Sequence, residues 1–265
     1  MSLAPVLLLA LLQGVAEFLP VSSSGHLAIL GRLLGTRDAA GGVTLEVVLH
    51  LGTLISVIAF YRRDLASLAT GLARREAGAV RLLALVALAS LPAAFAGLLF
   101  ADRIEAAFDD PALVAALLVV NGIILTASSA ARRRSGGVGA AGALAAGLAQ
   151  AFAILPGISR SGSTISALAA AGVDPVRAAR FSFLMSIPAV AGAGLLDAGS
   201  IGALPASDIL PLLAGLAVAS LVGYASLALL IKVLGRGRMW VFGAYCMAAG
   251  LAAGLLMPGG WTCWL

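Results

Sequence analysis

Five ionisable side chains stand inside long apolar stretches of this chain: Glu17, His26, Glu46, His50 and Arg160. Burying such a group in an apolar medium costs at least a few kcal/mol, so each is read first as a functional group. Three of the five belong to two short polar segments rich in Ser, Gly and Pro. One runs from Glu17 through Pro20-Val-Ser-Ser-Ser-Gly-His26, and the other is Pro156-Gly-Ile-Ser-Arg-Ser-Gly-Ser-Thr164. The second offers the hydroxyls of Ser159, Ser161 and Thr164, a close backbone approach at Gly162, and the planar fork of Arg160, which matches phosphate oxygens. A helix starting at this point would also aim its positive end at a ligand. This is the chemistry of an anion site, most simply a phosphate site, and it lacks the Lys of a nucleotide-binding P-loop.

The first segment supplies complementary groups. Ser22, Ser23 or Ser24 can serve as nucleophile or phosphate contact beside Gly25, and His26 or Glu17 can move protons. Glu17 can alternatively hold a divalent cation, because hard cations prefer carboxylate and phosphate oxygens. Glu46 and His50 lie four apart on one helical face and, with Gln13, form a candidate supporting shell. A locally satisfied Glu46–His50 pair explains their spacing equally well.

These residues sit in a chain that is 61% hydrophobic and only 11% charged, with a mean hydropathy of +1.07. A soluble domain is roughly 25% charged, so lipid is the expected solvent. Six stretches are long and apolar enough to span a bilayer: about 43–61, 82–101, 111–130, 181–197, 208–231 and 239–257. Regions 3–35 and 139–172 are apolar but broken at the two polar segments, and each arm is too short to cross. They read as re-entrant helical hairpins, since broken backbone survives at membrane depth only when buried in protein or facing a wet cavity. Trp240, Trp261 and Trp264 fall near span ends and read as interface anchors. Cys246 and Cys263 lack metal-ligand spacing, and Cys246 reads as core packing.

The net charge of +5 comes from short basic clusters between apolar runs, including Arg62–Arg63, Arg132–Arg133–Arg134 and Lys232, Arg236, Arg238. That is the positive-inside pattern rather than a nucleic-acid footprint. Loops 62–81, 131–138 and 232–238 are expected inside and the acidic loop 102–110 outside. Hairpin 3–35 then enters from outside and hairpin 139–172 from inside. The expected fold is an all-α integral membrane protein, one polytopic domain over 1–265. It has six transmembrane helices plus two re-entrant hairpins in an inverted-topology repeat, 1–130 and 131–265. Gln13 precedes Gln150 by 137 positions, and Ser22-Ser-Ser-Gly25 precedes Ser159-Arg-Ser-Gly162 by the same 137.

Gln13-Gly-Val-Ala-Glu17 with its Ser/Gly/His26 tail, and Pro156-Gly-Ile-Ser-Arg-Ser-Gly-Ser-Thr164, resemble the two motifs of the bacterial undecaprenyl-diphosphate phosphatases of the bacitracin-resistance type. Leu45–Gly52 and Phe181–Pro188 resemble further segments of that family, so the likeness runs nearly end to end. It implies removal of the terminal phosphate of undecaprenyl diphosphate, recycling the lipid carrier for cell-wall synthesis at the bacterial inner membrane. It also implies an active site on the extracytoplasmic side and a divalent cation, Mg2+ or Ca2+. By position, the resemblance makes Glu17 the essential carboxylate, Ser23 the nucleophile, His26 its acid/base partner and Arg160 the phosphate clamp. The expected partners are the lipid substrate and membrane lipid, without nucleic acid and with a homodimer left open. The alternative from another class is a secondary transporter or flippase of the polyprenyl phosphate carrier, whose architecture also uses inverted repeats.

Overall fold

The computed structural model describes residues 1–33, 42–129, 135–196 and 205–256. Its described residues are helical, with no strand among them beyond a single bridge between Gly136 and Val173. Two short hairpins carry the polar segments. The first pairs α1 (Leu3–Ala16) with α2 (Ser23–Leu33), and the second pairs α8 (Ala140–Phe152) with α9 (Arg160–Ala170). At 1.5 Å rise per residue the 14 residues of α1 cover only about 21 Å, short of a bilayer core of ~30 Å.

Between and after the hairpins stand α3 (Gly42–Phe60), α4 (Arg62–Ala73), α5 (Ala77–Leu99), α6 (Ala101–Phe108), α7 (Pro111–Ser129), α10 (Pro175–Leu196), α11 (Ala206–Gly235) and α12 (Met239–Leu256). Among the described residues α5, α7, α11 and α12 are long and apolar enough to cross a membrane, and α3 with α4 makes a fifth if that bent pair counts as one span. The protein is therefore a multi-pass membrane protein. Large apolar side chains such as Leu98, Leu99, Leu221 and Leu256 point outward, as a lipid-facing exterior requires. Residues 181–196 of the expected span 181–197 belong to α10, whose first turns carry Arg177 and Arg180, so only its later part is apolar.

The expected loops 62–81 and 102–110 are corrected by α4 and α6. In α4, Leu65, Leu68 and Leu72 recur at helical spacing, and the helix leaves α3 at a bend of 72°. In α6, Ile104, Ala107 and Phe108 do the same. The charges mark both segments as outside the apolar core, while the apolar spacing makes them amphipathic helices. Asp64 of α4 pairs with Arg180 of α10 at 2.5 Å and ties this end of the molecule together. Trp240 is exposed in the first turn of α12, and Trp261 and Trp264 lie outside the described residues.

The packing partners of the hairpins come from the opposite half of the chain. Helix α1 packs chiefly on α11, and α8 chiefly on α5. Both contacts rely on a missing side chain. A Cβ on Gly14 would stand 3.0 Å from the Ala219 carbonyl oxygen, and one on Gly147 would stand 2.5 Å from that of Ala89. Small residues let backbones approach where lipid provides no hydrophobic drive between helices. The central α7 packs along α12, and it also touches both α2 and α9.

Candidate active site

Each hairpin turns at a proline-containing break. Proline lacks the N–H that continues a helix and fixes its own φ, so Pro20 and Pro156 end the first arms. The second arms restart in the same way. Ser22 Oγ accepts from Gly25 N at 3.2 Å, and Ser159 Oγ accepts from Gly162 N at 3.1 Å. These are N-cap bonds, each satisfying an otherwise unpaired first-turn donor. Ser22 also touches Ser24 Oγ at 3.3 Å, as Ser159 touches Ser161 Oγ at 3.2 Å. Ser22 takes a left-handed φ of 70°, and Gly157 one of 104°.

The two tips meet. A Cβ on Gly25 would lie 3.0 Å from the Cα of Gly157, so backbone packs on backbone there. Ser161 Oγ donates to the Phe18 carbonyl at 3.3 Å, crossing from the second hairpin to the first. Asn121, fully buried on α7, donates through Nδ2 to the Pro20 carbonyl at 3.2 Å and accepts at Oδ1 from Ser159 N at 3.0 Å. One amide thus pins both tips. Cys246 is buried and packs against this amide, which donates to its Sγ at 3.3 Å.

Glu17 lies at the centre of the joined tips, buried at the end of α1. Its Oε1 accepts from Arg160 Nη2 at 2.6 Å, a charge-assisted bond between the hairpins. Its Oε2 accepts from Ser23 Oγ at 2.7 Å and from Gln13 Nε2 at 3.2 Å. His50 Nε2 approaches the same oxygen at 3.6 Å, while its Nδ1 donates to the Glu46 carbonyl at 2.8 Å. Ser23 and Arg160, 137 positions apart, each open the second arm of their hairpin, and each takes one oxygen of the same carboxylate.

The other candidates are placed as follows. His26 bonds the backbone of its own turn and α12: its Nδ1 donates to the Ser22 carbonyl at 2.8 Å, and its ring stacks on Tyr245 with centroids 5.7 Å apart. A carbonyl can only accept, so Nδ1 carries the proton of a neutral ring, and Nε2 accepts from the Tyr245 hydroxyl at 2.8 Å. Thr164 Oγ1 meets its own helix carbonyl at Arg160 (2.8 Å) and Ser182 Oγ of α10 (2.6 Å), and it is fully buried. The hydroxyls of Ser159, Ser161 and Thr164 thus bond within the protein, and the Arg160 guanidinium keeps an Nη1 without a hydrogen-bond partner among the described residues.

Three contributors escape sequence reasoning: Asn121, Tyr245 and Ser182. Asn121 had a legible signal, since it is the only asparagine of the chain and falls inside an apolar span. Tyr245 and Ser182 had none, because an isolated hydroxyl in a helix is unremarkable until its neighbour is known.

The model of the family described as bacitracin resistance protein BacA matches residues 6–252. The chain is 44% identical over 256 residues to an undecaprenyl-diphosphatase of Syntrophotalea carbinolica, covering 94% of this chain and 97% of the relative. It is 40% identical over 260 residues to one from Geobacter metallireducens, covering 94% and 95%. A third, from Trichlorobacter lovleyi, is 39% identical over 268 residues, covering 97% and 98%. Likeness of this extent, with both polar segments inside the matched region, makes the chain a member of the BacA bacitracin resistance family.

Proposed function

We infer that this protein is an undecaprenyl-diphosphate phosphatase, releasing inorganic phosphate and regenerating the monophosphate carrier for cell-wall synthesis, with resistance to bacitracin as a consequence. The observation that carries the mechanism is the shared carboxylate: Glu17 holds the Ser23 hydroxyl on one oxygen and the Arg160 guanidinium on the other. A hydroxyl bonded to a carboxylate is a nucleophile with its base in reach. In the resting site Glu17 is the anion that Arg160 binds. When the diphosphate arrives, Arg160 turns its fork to the terminal phosphoryl oxygens, and charge on the transferred group is stabilised where it develops.

Glu17 then takes the Ser23 proton as Oγ attacks the terminal phosphorus. The bridging P–O bond breaks, and the proton passes to the departing monophosphate. In the second step water adds its oxygen to the phosphorus and the P–Oγ bond breaks. Glu17 takes one water proton and returns a proton to Ser23. Ser22, Ser24 and Gly25 shape the turn that presents Ser23, Gln13 donates to the Glu17 carboxylate, and His50 stands beside it. His26, with Tyr245, supports the turn at the Ser22 carbonyl.

A divalent cation, Mg2+ or Ca2+, belongs to the same proposal. Among the described residues no three His, Cys, Asp or Glu side chains gather into a cage. Glu17 would be the carboxylate that holds such a hard cation, which prefers carboxylate and phosphate oxygens. Bound there, it would neutralise part of the diphosphate charge.

The membrane arrangement is also proposed: six spans and two re-entrant hairpins, inverted between 1–130 and 131–265, with the site opening on the extracytoplasmic side. The paired N-caps 137 residues apart and the exchange of partners, α1 on α11 and α8 on α5, support it. The test of function uses purified protein in detergent, where no gradient exists. Phosphate release from undecaprenyl diphosphate is the expected result. Normal binding of the lipid with no release would overturn the hydrolase and leave a carrier transporter.

A further inference from the structure

Seven buried side-chain atoms lack a hydrogen-bond partner among the described residues, and five of them belong to α8 and α9: Gln150 Nε2 and Oε1, Arg160 Nη1, Ser163 Oγ and Ser166 Oγ. Buried polar atoms in native proteins are almost always satisfied, by protein or by ordered water. Their concentration in one hairpin calls for a common cause. On α9 the three residues are spaced by three. Helical neighbours at that spacing lie about 5–6 Å apart, a gap that one water spans. Ser163 and Ser166 are 4% and 6% exposed, so bulk solvent does not supply the missing bonds.

A second, independent feature lies at the end of this line. A cavity of about 50 Å3 is lined by Ser166 together with Ser128, Ser129, Val173, Leu234 and Met239. That is room for water, which needs only about 10–15 Å3 and a few polar partners. The Ser128 and Ser129 hydroxyls donate to carbonyls of their own helix, at 2.9 and 2.7 Å, which leaves their oxygens able to accept. The cavity lies where α7 ends and α10 and α12 begin, close in sequence to Arg177, Arg236 and Arg238. The lining is neutral hydroxyl and hydrocarbon. Such a set binds water, which can both donate and accept, rather than an anion.

We propose that water occupies a seam along α9, from the Ser128–Ser166 cavity past Ser163 to the guanidinium nitrogen of Arg160 that Glu17 leaves free. The seam ends at the Glu17–Arg160 pair and so reaches the reacting groups. It supplies the water of the second step, whose oxygen joins the phosphorus as the bond to Ser23 Oγ breaks, and that role rests on the hydrolase reading above. Gln150 is a further polar contact for this water on the helix packed against α9.

The test starts from a chain carrying Cys246→Ala and Cys263→Ala, with phosphate release measured first so that failure of the hydrolase reading registers on its own. Ser166→Cys, Ser163→Cys and, as a fully buried control on the same helix, Leu168→Cys are then exposed to silver ion in sealed vesicles of each orientation. The expected result is that both serine positions react at least about tenfold faster than position 168, and only from the face bearing Arg236 and Arg238. Reaction at 166 without reaction at 163, reaction from the opposite face, or no reaction above the control each overturns the seam. In the otherwise natural chain, Ser163→Val is expected to lower kcat about tenfold with KM unchanged, and Ser163→Thr to restore it. Unchanged kcat in the Val variant overturns the supply role.

Discussion

Glu17 accepts from both hairpins, so the residues around it are not interchangeable with chemically similar ones. Arg160→Ala is expected to remove nearly all phosphate release, and Arg160→Lys to recover little of it, because a point charge cannot engage two phosphoryl oxygens as a planar fork does. Measuring turnover of both variants against the parent decides this, and substantial activity in the Ala variant would count against the clamp. Chelation by EDTA is expected to suppress turnover, with added Mg2+ or Ca2+ restoring it; full activity after exhaustive chelation would remove the cation from the proposal. Tyr245→Phe deletes one hydrogen bond to His26 Nε2 while keeping the ring stack, and a net loss of about 1 kcal/mol corresponds to roughly a fivefold fall in kcat/KM. Most of this cluster was legible in the sequence, since ionisable groups in an apolar chain are few enough to enumerate. What the residue types could not give was direction. The sequence reading makes His26 the acid/base candidate and His50 a supporting one, yet the first bonds Tyr245 while the second comes within 3.6 Å of the carboxylate.

At the scale of elements, the two hairpin tips depend on a contact that neither hairpin contains. Asn121 fills the gap between the Pro20 carbonyl and the Ser159 amide, and both groups are shielded from water. Asn121→Leu keeps the branched shape but leaves the Ser159 N–H unpaired and the Pro20 carbonyl with only the weak Cys246 thiol donor, a cost of about 2–3 kcal/mol that a thermal melt in detergent would read as a lowered Tm. Gly157→Ala is expected to be at least as severe. Its φ of 104° disfavours any L side chain, and a Cβ would stand 2.6 Å from the Val114 carbonyl oxygen. A melt indistinguishable from the parent in either variant would show that the tips do not need this junction. Helix periodicity and proline breaks made both hairpins readable. Helices α4 and α6 were not read, because their charges drew attention from the leucine and isoleucine spacing that makes them helices. The meeting of α7 with both tips belongs to tertiary packing, on which local pattern is silent.

For the whole molecule, the exchange of partners makes each half incomplete. Helix α1 rests chiefly on α11 and α8 chiefly on α5, so the first arm of each hairpin finds its main partner outside its own half. Expressed separately, each half is expected to be inactive and rapidly degraded, whereas co-expression should restore phosphate release. Activity in either half alone would contradict the arrangement. The 137-residue offset of the two polar segments was legible, but the exchange was not, because an offset in sequence does not say which hairpin packs on which helix. It also has a consequence for biosynthesis. The segment bearing Glu17 and Ser23 leaves the ribosome well before α11, on which its first arm rests. The early hairpin must therefore wait in or at the membrane without its partner while most of the chain is made. The hairpin that carries Glu17 and Ser23 is then seated only once α11 has been made, which ties its docking to synthesis of the other half.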